Sequence, residues 1–349
     1  MNPHAVVDAF RGGILESRHL CSVAAWRGGR TVLALGDVRR PVYMRSSAKP
    51  FQALVLVLSG AADRFRVTEE ELAVVCASHG AEEVHVSLVR GLLARAGLDP
   101  SALRCGTHPP ACPRASLDLA RSGGRPEAVH NNCSGKHTGM VLTALHLGAP
   151  VETYLEKDHP VQVANRENLA LLAGMDPGDV VIGVDGCSGP NFALPLENQA
   201  AAFARLAEPD ASLPPAHAAA ARRVARAMMA HPRLVAWQGE GDAALMGAAP
   251  GKFVSKLGAE GVQGVGVPGR GLGIALKAED GAARPRLPLT VALLRAAGVM
   301  SAEEAARIGA SADLVLRNHR GLDVGHIEVR LPEGVRGLGE GAEKIESAA

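Results

Sequence analysis

Two hydrophobic rhythms divide this chain. Residues 21–26 and 31–36 alternate or run apolar on either side of Arg27-Gly-Gly-Arg30, the pattern of a β-hairpin. Residues 41–45 read as a third strand that feeds directly into a helix running from Ser46 to Leu58. The period then changes to the helical spacing of three and four. Thr68 and Glu71 form a capping box ahead of an apolar helix that ends near Cys76, Ser78-His79-Gly80 breaks it, and a second helix covers 82–96. Residues 98–130, with Pro109, Pro110 and Pro113, read as loop-rich. Helices are predicted over 134–147, 159–174, 196–207 and 215–230, with a buried strand at 180–185 among them. The strand rhythm returns at 252–257, 262–267 and 272–278. Helices at 287–297 and 301–309 follow, the second opened by a Ser301/Glu304 capping box, then a last strand at 326–331.

Strands at both ends and helices between them predict an α/β (α+β) fold. The sheet-forming part comes from about 15–60 and 250–331, and a mainly helical region, about 61–249, is inserted into it. The Gly/Glu-rich stretch 334–349 is expected to be a frayed tail.

Composition narrows the function classes. The 349 residues carry 37 basic against 36 acidic side chains, a net charge of +1, so no electrostatic footprint points to nucleic acid or an anionic membrane. Aromatic residues make up only 3%, too few for a base-stacking platform. No apolar run reaches the ~18–20 residues of a membrane span, and residues 1–11 lack the apolar stretch of a secretory signal. Six cysteines in a chain of this length are not a disulfide framework, so a cytoplasmic location with free thiols is expected.

Two of those cysteines sit in matching polar turns. Asn132-Cys133-Ser134-Gly135-Lys136-His137 and Gly186-Cys187-Ser188-Gly189-Pro190 share the phrase Cys-Ser-Gly. Glycine beside each cysteine permits tight backbone geometry and close approach to a ligand. Two thiols presented in this way suggest one shared site, either a metal pair or a redox pair; two small turn residues without a role would look the same.

A second pattern carries nucleophile chemistry. Ser46-Ser47-Ala48-Lys49 lies at a strand-to-helix junction, where positions three apart share a face. A serine hydroxyl needs a base beside it, and a lysine serves only when burial or a neighbouring cation depresses its pKa. Pro50 suits the first helical turn, whose free N–H groups favour developing negative charge. Ser78, in the break Ala77-Ser78-His79-Gly80, and Lys256, on a predicted strand, form a less local candidate pair. A surface serine near a solvated lysine gives the first spacing by chance, and an edge-strand lysine is often only a guard against aggregation.

Arg45-Ser-Ser-Ala-Lys-Pro-Phe-Gln52, Ala77-Ser-His-Gly80, Asn131-Asn-Cys-Ser-Gly-Lys-His-Thr-Gly139, Gly183-Val-Asp-Gly-Cys-Ser-Gly-Pro-Asn191 and Lys256-Leu-Gly-Ala-Glu-Gly261 occur in that order. In this combination the chain resembles the asparaginase II family of the rhizobial, thermolabile type, from about residue 15 to 331. The resemblance implies a fold similar to serine β-lactamases and glutaminases, a homodimer, and hydrolysis of L-asparagine to L-aspartate and ammonia. It implies two Ser-Lys pairs, Ser46 with Lys49 and Ser78 with Lys256, and zinc held by Cys133, Lys136 and Cys187. A neutral lysine amine and two thiolates leave a fourth tetrahedral position for water. Asp185 and His137 flank those ligands as supporting or substrate-binding candidates. Arg45 is a candidate partner for the substrate carboxylate, or a structural ion pair. One stretch departs from the family pattern: in Trp237-Gln-Gly-Glu-Gly-Asp-Ala243, Glu240 stands in place of an arginine and Ala243 in place of a threonine.

The leading expectation is a serine-dependent L-asparagine amidohydrolase. Two rivals use fewer of the features. A penicillin-recognising acyl hydrolase would need only the Ser-x-x-Lys logic, and a non-catalytic zinc or amino-acid-binding protein would need neither lysine pair.

Overall fold

The computed structural model describes residues 2–308 and 314–339. Eleven strands are described: β1 (Ala5–Arg11), β2 (Ile14–Arg27), β3 (Arg30–Leu35), β4 (Pro41–Tyr43), β5 (Val181–Val184), β6 (Pro190–Pro195), β7 (Val254–Gly258), β8 (Val262–Val267), β9 (Leu272–Ala278), β10 (Val315–Arg317) and β11 (Asp323–Arg330). The helices are α1 (Lys49–Leu58), α2 (Ala61–Arg64), α3 (Glu69–Val75), α4 (Glu83–Arg95), α5 (Pro113–Arg121), α6 (Ser134–Leu147) and α7 (Pro160–Ala173). They continue as α8 (Leu196–Ala207), α9 (Pro215–Ala230), α10 (Pro232–Val235), α11 (Gly241–Ala248), α12 (Arg286–Ala296) and α13 (Ala302–Ile308).

The larger sheet runs β10-β11-β1-β2-β9-β8-β7, with β3 also paired to β2, and all its pairings are antiparallel. Residues 14–21 of β2 pair with β1 and residues 23–27 with β3, so one long strand serves two partners in turn. A three-stranded antiparallel sheet, β4-β6-β5, stands beside the larger one. The fold is thus α/β with an antiparallel sheet and many helices.

Helix α8 lies directly on the larger sheet, and glycine makes this possible. A Cβ on Gly264 of β8 would fall 1.8 Å from a ring carbon of Phe203, and one on Gly273 of β9 would fall 1.9 Å from the Ala200 carbonyl. Helix α1 has apolar residues on every side, as expected of a central helix. It is enclosed by α6, α7 and α9, and Lys49 through Leu56 are buried. The lysine at its first position is drawn inside with it.

Several sequence expectations change. Residues 5–11 form the strand β1, whose burial alternates only partly because it lies between β2 and β11. Within the loop-rich stretch 98–130, Pro113 opens the helix α5, where a missing N–H does no harm. The strand at 181–184 is an edge rather than a buried strand, since only β6 pairs with it and Val184 is 81% exposed. Within the expected tail, residues 333–338 form a 3-10 turn that buries Val335 and Leu338, while 340–349 lie outside the described residues. Among the described residues no helix is long and apolar enough to cross a membrane.

Candidate active site

The site starts where β4 ends. Met44 donates its N–H to the carbonyl of Phe192, and a 3-10 turn, Arg45–Ala48, then leads into α1. Arg45 sits in the left-handed region at φ +52°, a strained conformation for a side chain of this size. Two contacts hold it there: its N–H donates to Asn191 Oδ1 at 3.1 Å, and its Nε donates to Asp185 Oδ1 at 2.7 Å. Ser46 follows it, half-buried. A cavity of about 550 Å³ opens beside Arg45, bordered by Tyr43, Asn191, Glu260 and Lys277.

Lys49 does not turn back to Ser46. Its Nζ crosses to the end of α3 and donates to the Ala77 carbonyl (2.6 Å), to Ser78 Oγ (3.0 Å) and to the Asn132 carbonyl (3.3 Å). The observed contacts differ from the expected pairs: Ser78 is hydrogen-bonded to Lys49, and Lys256 to Asp242. The reason is the demand of a buried ammonium for three acceptors, which two carbonyls and a hydroxyl meet where two loops come together.

Lys256 points inward from β7, the strand packed against the Arg45–Ala48 turn; a Cβ on Gly258 would come within 2.4 Å of the Met44 carbonyl. Its Nζ donates to Asp242 Oδ2 at 3.0 Å and to its neighbour's carbonyl at 3.2 Å. Asp242 is fully buried and accepts three further hydrogen bonds, from Ser255 Oγ (3.1 Å), Leu257 N–H (2.9 Å) and Gln263 Nε2 (2.8 Å). Burial pulls the Lys256 amine down to about 8, with Asp242 opposing and the Lys49 charge assisting.

The two Cys-Ser-Gly turns do meet. Lys136, buried in the first turn of α6, donates to Cys187 Sγ at 3.0 Å. Cys133 lies well below the usual thiol range, chiefly through its hydrogen bond with Cys187 and also through the Lys49 and Lys136 charges. Asp185 stands behind Cys187, 3.9 Å from its sulfur; burial resists its ionisation, but Lys136 and Arg45 outweigh that and lower its pKa. His137 is buried, its Nδ1 2.6 Å from Tyr154 Oη. Burial draws its pKa down to about 4, although Cys187 acts in the opposite direction.

This donor set fits zinc. Two sulfurs and an amine gather here, and a Cβ on Gly189 would come within 3.4 Å of Lys136 Nζ and 3.7 Å of Cys187 Sγ. Among the described residues no group of three His, Cys, Asp or Glu converges; a third donor beside the two sulfurs would be the Lys136 amine, which coordinates only when neutral.

The sequence matches L-asparaginase II over residues 7–329. The chain belongs to the L-asparaginase II family. No curated protein matches it. Among solved structures, the native form of Mglu is similar at 16% identity and a TM-score of 0.42, over 84% of this chain and 64% of that one. A probable glutaminase from Bacillus subtilis, complexed with 6-diazo-5-oxo-L-norleucine, is similar at 12% identity and a TM-score of 0.33, over 74% and 76%. The chain thus spans less than two thirds of the length of Mglu.

Two residues of this site escape sequence reasoning. Asp242 lies in the stretch that departs from the family pattern, and nothing in its spacing from Lys256 shows that α11 brings it to β7. Tyr154, which fixes the His137 ring, lies 17 residues downstream in a Pro-flanked turn. A lone tyrosine in a chain with two of them was the only available signal.

Proposed function

We propose that the protein hydrolyses L-asparagine to L-aspartate and ammonia through an acyl-enzyme on Ser46. The observation that carries this reading is a pair of buried lysines with different partners: Lys49 donates to Ser78, and Lys256, on the strand packed against the Arg45–Ala48 turn, is held by Asp242. In this reading neutral Lys256 takes the proton of Ser46 as Oγ attacks the side-chain amide carbon. The C–N bond then breaks. The departing nitrogen takes the Ser78 proton, which Lys49 replaces along the observed N–H to Oγ contact, and ammonia leaves. In the second half, water gives a proton to Lys49 through Ser78 and its hydroxide attacks the acyl carbon. Ser46 regains its proton from Lys256. The enzyme returns to its starting state and one water has been consumed.

Arg45 gives its Nε–H to Asp185 at 2.7 Å, and its terminal N–H groups, with Glu260 3.9 Å from Nη1, are the ones that would receive a substrate carboxylate. Cys133, Lys136 and Cys187 would hold zinc, which supplies fixed positive charge close to the Arg45–Asp185 pair. Ammonia release from asparagine, glutamine and a chromogenic β-lactam on one preparation tests the reading. Asparagine is expected to lead glutamine by about 10- to 200-fold in kcat/KM, the range one methylene allows. Preferred turnover of the β-lactam, or asparagine binding without ammonia release, overturns it.

A further inference from the structure

His79 follows Ser78, is fully buried, and takes no part in the chemistry above. Its ring is fixed at both nitrogens. Nδ1 accepts the Ala81 N–H at 3.1 Å, which leaves the ring proton on Nε2. Nε2 lies 2.8 Å from Ser134 Oγ, and that hydroxyl donates onward to the Val129 carbonyl at 3.0 Å. The direction is therefore set along the whole chain, from Nε2–H to hydroxyl to carbonyl. The ring also stacks on His85, with centroids 5.2 Å apart and planes 12° from parallel. Burial holds its pKa well below that of an ordinary histidine, so it stays neutral.

Ser134 lies between Cys133 and Lys136. Its hydroxyl is the place where the Ser78 loop is tied to the thiol–amine loop by a neutral bond. The backbone reinforces the tie, with His79 N–H on the Asn132 carbonyl at 3.3 Å, the same carbonyl that Lys49 uses. Helix α6 is pressed against α3 just there: a Cβ on Gly135 would fall 2.1 Å from the Val74 carbonyl.

We propose that His79 is a positioning residue that, through Ser134, holds the Ser78 hydroxyl and the Cys133/Lys136 cluster in one rigid frame. Lys49 joins the same two loops but must change its hydrogen bonds during turnover, so the frame needs a second tie that does not. The inference rests on the reading of Ser78 and Lys49 as a proton-handling pair, and the test keeps the two separable.

Three variants isolate the bond. Asparagine at 79 reaches the place of Nδ1 and can accept the Ala81 N–H, but it cannot reach Ser134. Glutamine places an N–H donor near the position of Nε2. Ser134→Ala removes a single oxygen and leaves the imidazole in place. His79→Asn and Ser134→Ala are expected to lower kcat for asparagine by about 10- to 100-fold with KM little changed, the effect of a reacting group displaced by less than an ångström. His79→Gln is expected to recover most of kcat, and the His79→Asn/Ser134→Ala double variant to be no slower than the worse single one. In metal-free, reduced protein, Cys133 and Cys187 are expected to react with a thiol-specific disulfide reagent about tenfold faster in His79→Asn and Ser134→Ala, as the loss of one buried hydrogen bond predicts. His79→Gln is expected to react at the wild-type rate. Unchanged thiol rates in both His79→Asn and Ser134→Ala overturn the proposal whatever happens to kcat. So does an equal loss in His79→Gln, which would mark a packing role only. If the wild-type protein releases no ammonia from asparagine, the functional reading fails, and the thiol rates alone still decide the coupling.

Discussion

Two buried lysines in this molecule are shifted in opposite directions. Lys256 on β7 and Lys136 on α6 are both almost wholly enclosed, and each donates to an acidic group, Asp242 and Cys187 respectively. Desolvation opposes the charge in each case. At Lys256 it wins, because the one carboxylate nearby, Asp242, is shared among four donors and the Lys49 charge stands close by, and the amine falls to about 8. At Lys136 it loses, because Cys187, Cys133 and Asp185 all favour the charge, and the amine is raised above the usual lysine range. The difference teaches that burial does not set the state of a lysine; the count and commitment of its anionic neighbours do. One lysine is poised to exchange a proton and the other to hold one, unless a metal takes its place.

The largest effects belong on the side of proton exchange. Ser46→Ala is expected to lower kcat by about four orders of magnitude or more while the protein stays folded, since the acyl bond cannot form. Ser78→Ala is expected to lose about 10²–10⁴-fold, the range for a general acid–base group. Steady-state ammonia release with circular dichroism as a folding control measures both. If the order is reversed, Ser78 is the nucleophile, and the Lys49–Ser78 contact is the activating pair.

Lys256 also makes the activity depend on pH. An amine that must be neutral to accept a proton gives a rate that rises with pH and levels off near its pKa of about 8. The Asp242 carboxylate favours the charged amine, so its removal lets burial act with less opposition. Asp242→Asn is therefore expected to move the rise towards acid. A kcat/KM profile between pH 6 and 10 for both proteins reads the shift; a profile that is flat or moves towards alkali contradicts the assignment of Lys256 as base.

How much of this is visible in the sequence differs between the two regions. The thiol–amine cluster was legible because the repeated Cys-Ser-Gly phrase marks both halves of it, and the structure brings Cys133, Lys136 and Cys187 together. The serine–lysine region was legible in its members but not in its pairing. Spacing of three predicts Lys49 beside Ser46, yet a four-carbon stem reaches far beyond its own turn, and its direction is set by acceptors at Ala77 and Asn132 that no local pattern reveals. Asp242 was hidden for a related reason. A buried carboxylate is explained only by the donors it collects, and those of Asp242 come from β7 and β8. In the fold, the hairpin at 21–36 and the run of strands from 254 to 278 form as expected, because alternation and glycine punctuation are local. β1 and β6 were missed, because both are defined by their neighbours in the sheet.

The holding side of the comparison is tested by metal content. Protein purified without chelator is expected to carry about one zinc per chain, and Cys133→Ser/Cys187→Ser to carry none. Because the Lys136 amine must lose its proton to bind metal, zinc is expected to be released as pH falls, together with any thermal stabilisation it confers. Elemental analysis and melting curves with and without chelator check this. A Cys133–Cys187 disulfide in freshly reduced protein, with no metal, would favour a redox pair instead.

The smallest effect contrasts two carboxylates only two residues apart. Asp242 is fully buried, and removing it deprives Lys256, Ser255, Gln263 and the Leu257 N–H of their shared acceptor; Asp242→Ala is expected to destabilise the protein by about 3–5 kcal/mol, as for other broken buried pairs. Glu240 occupies the position where the family pattern has an arginine. Its side chain is 37% exposed, and its nearest cation, Arg286, is 3.7 Å away, beyond hydrogen-bond range. Such a contact contributes at most about 1 kcal/mol. Glu240→Gln is therefore expected to leave the melting temperature almost unchanged. Its effect on substrate choice is the sharper question. Gly241 and Asp242 connect Glu240 to the Lys256 hub, so a charge at 240 lies close to the site without touching it. If Glu240 only faces solvent and Arg286, the asparagine/glutamine ratio of kcat/KM stays within about threefold of wild type, as for other rim charges. A change of tenfold or more, in either direction, places Glu240 at the edge of the substrate pocket. The departure from the family pattern would then be a determinant of specificity, and the line between the buried hub and its exposed neighbour would have to be redrawn.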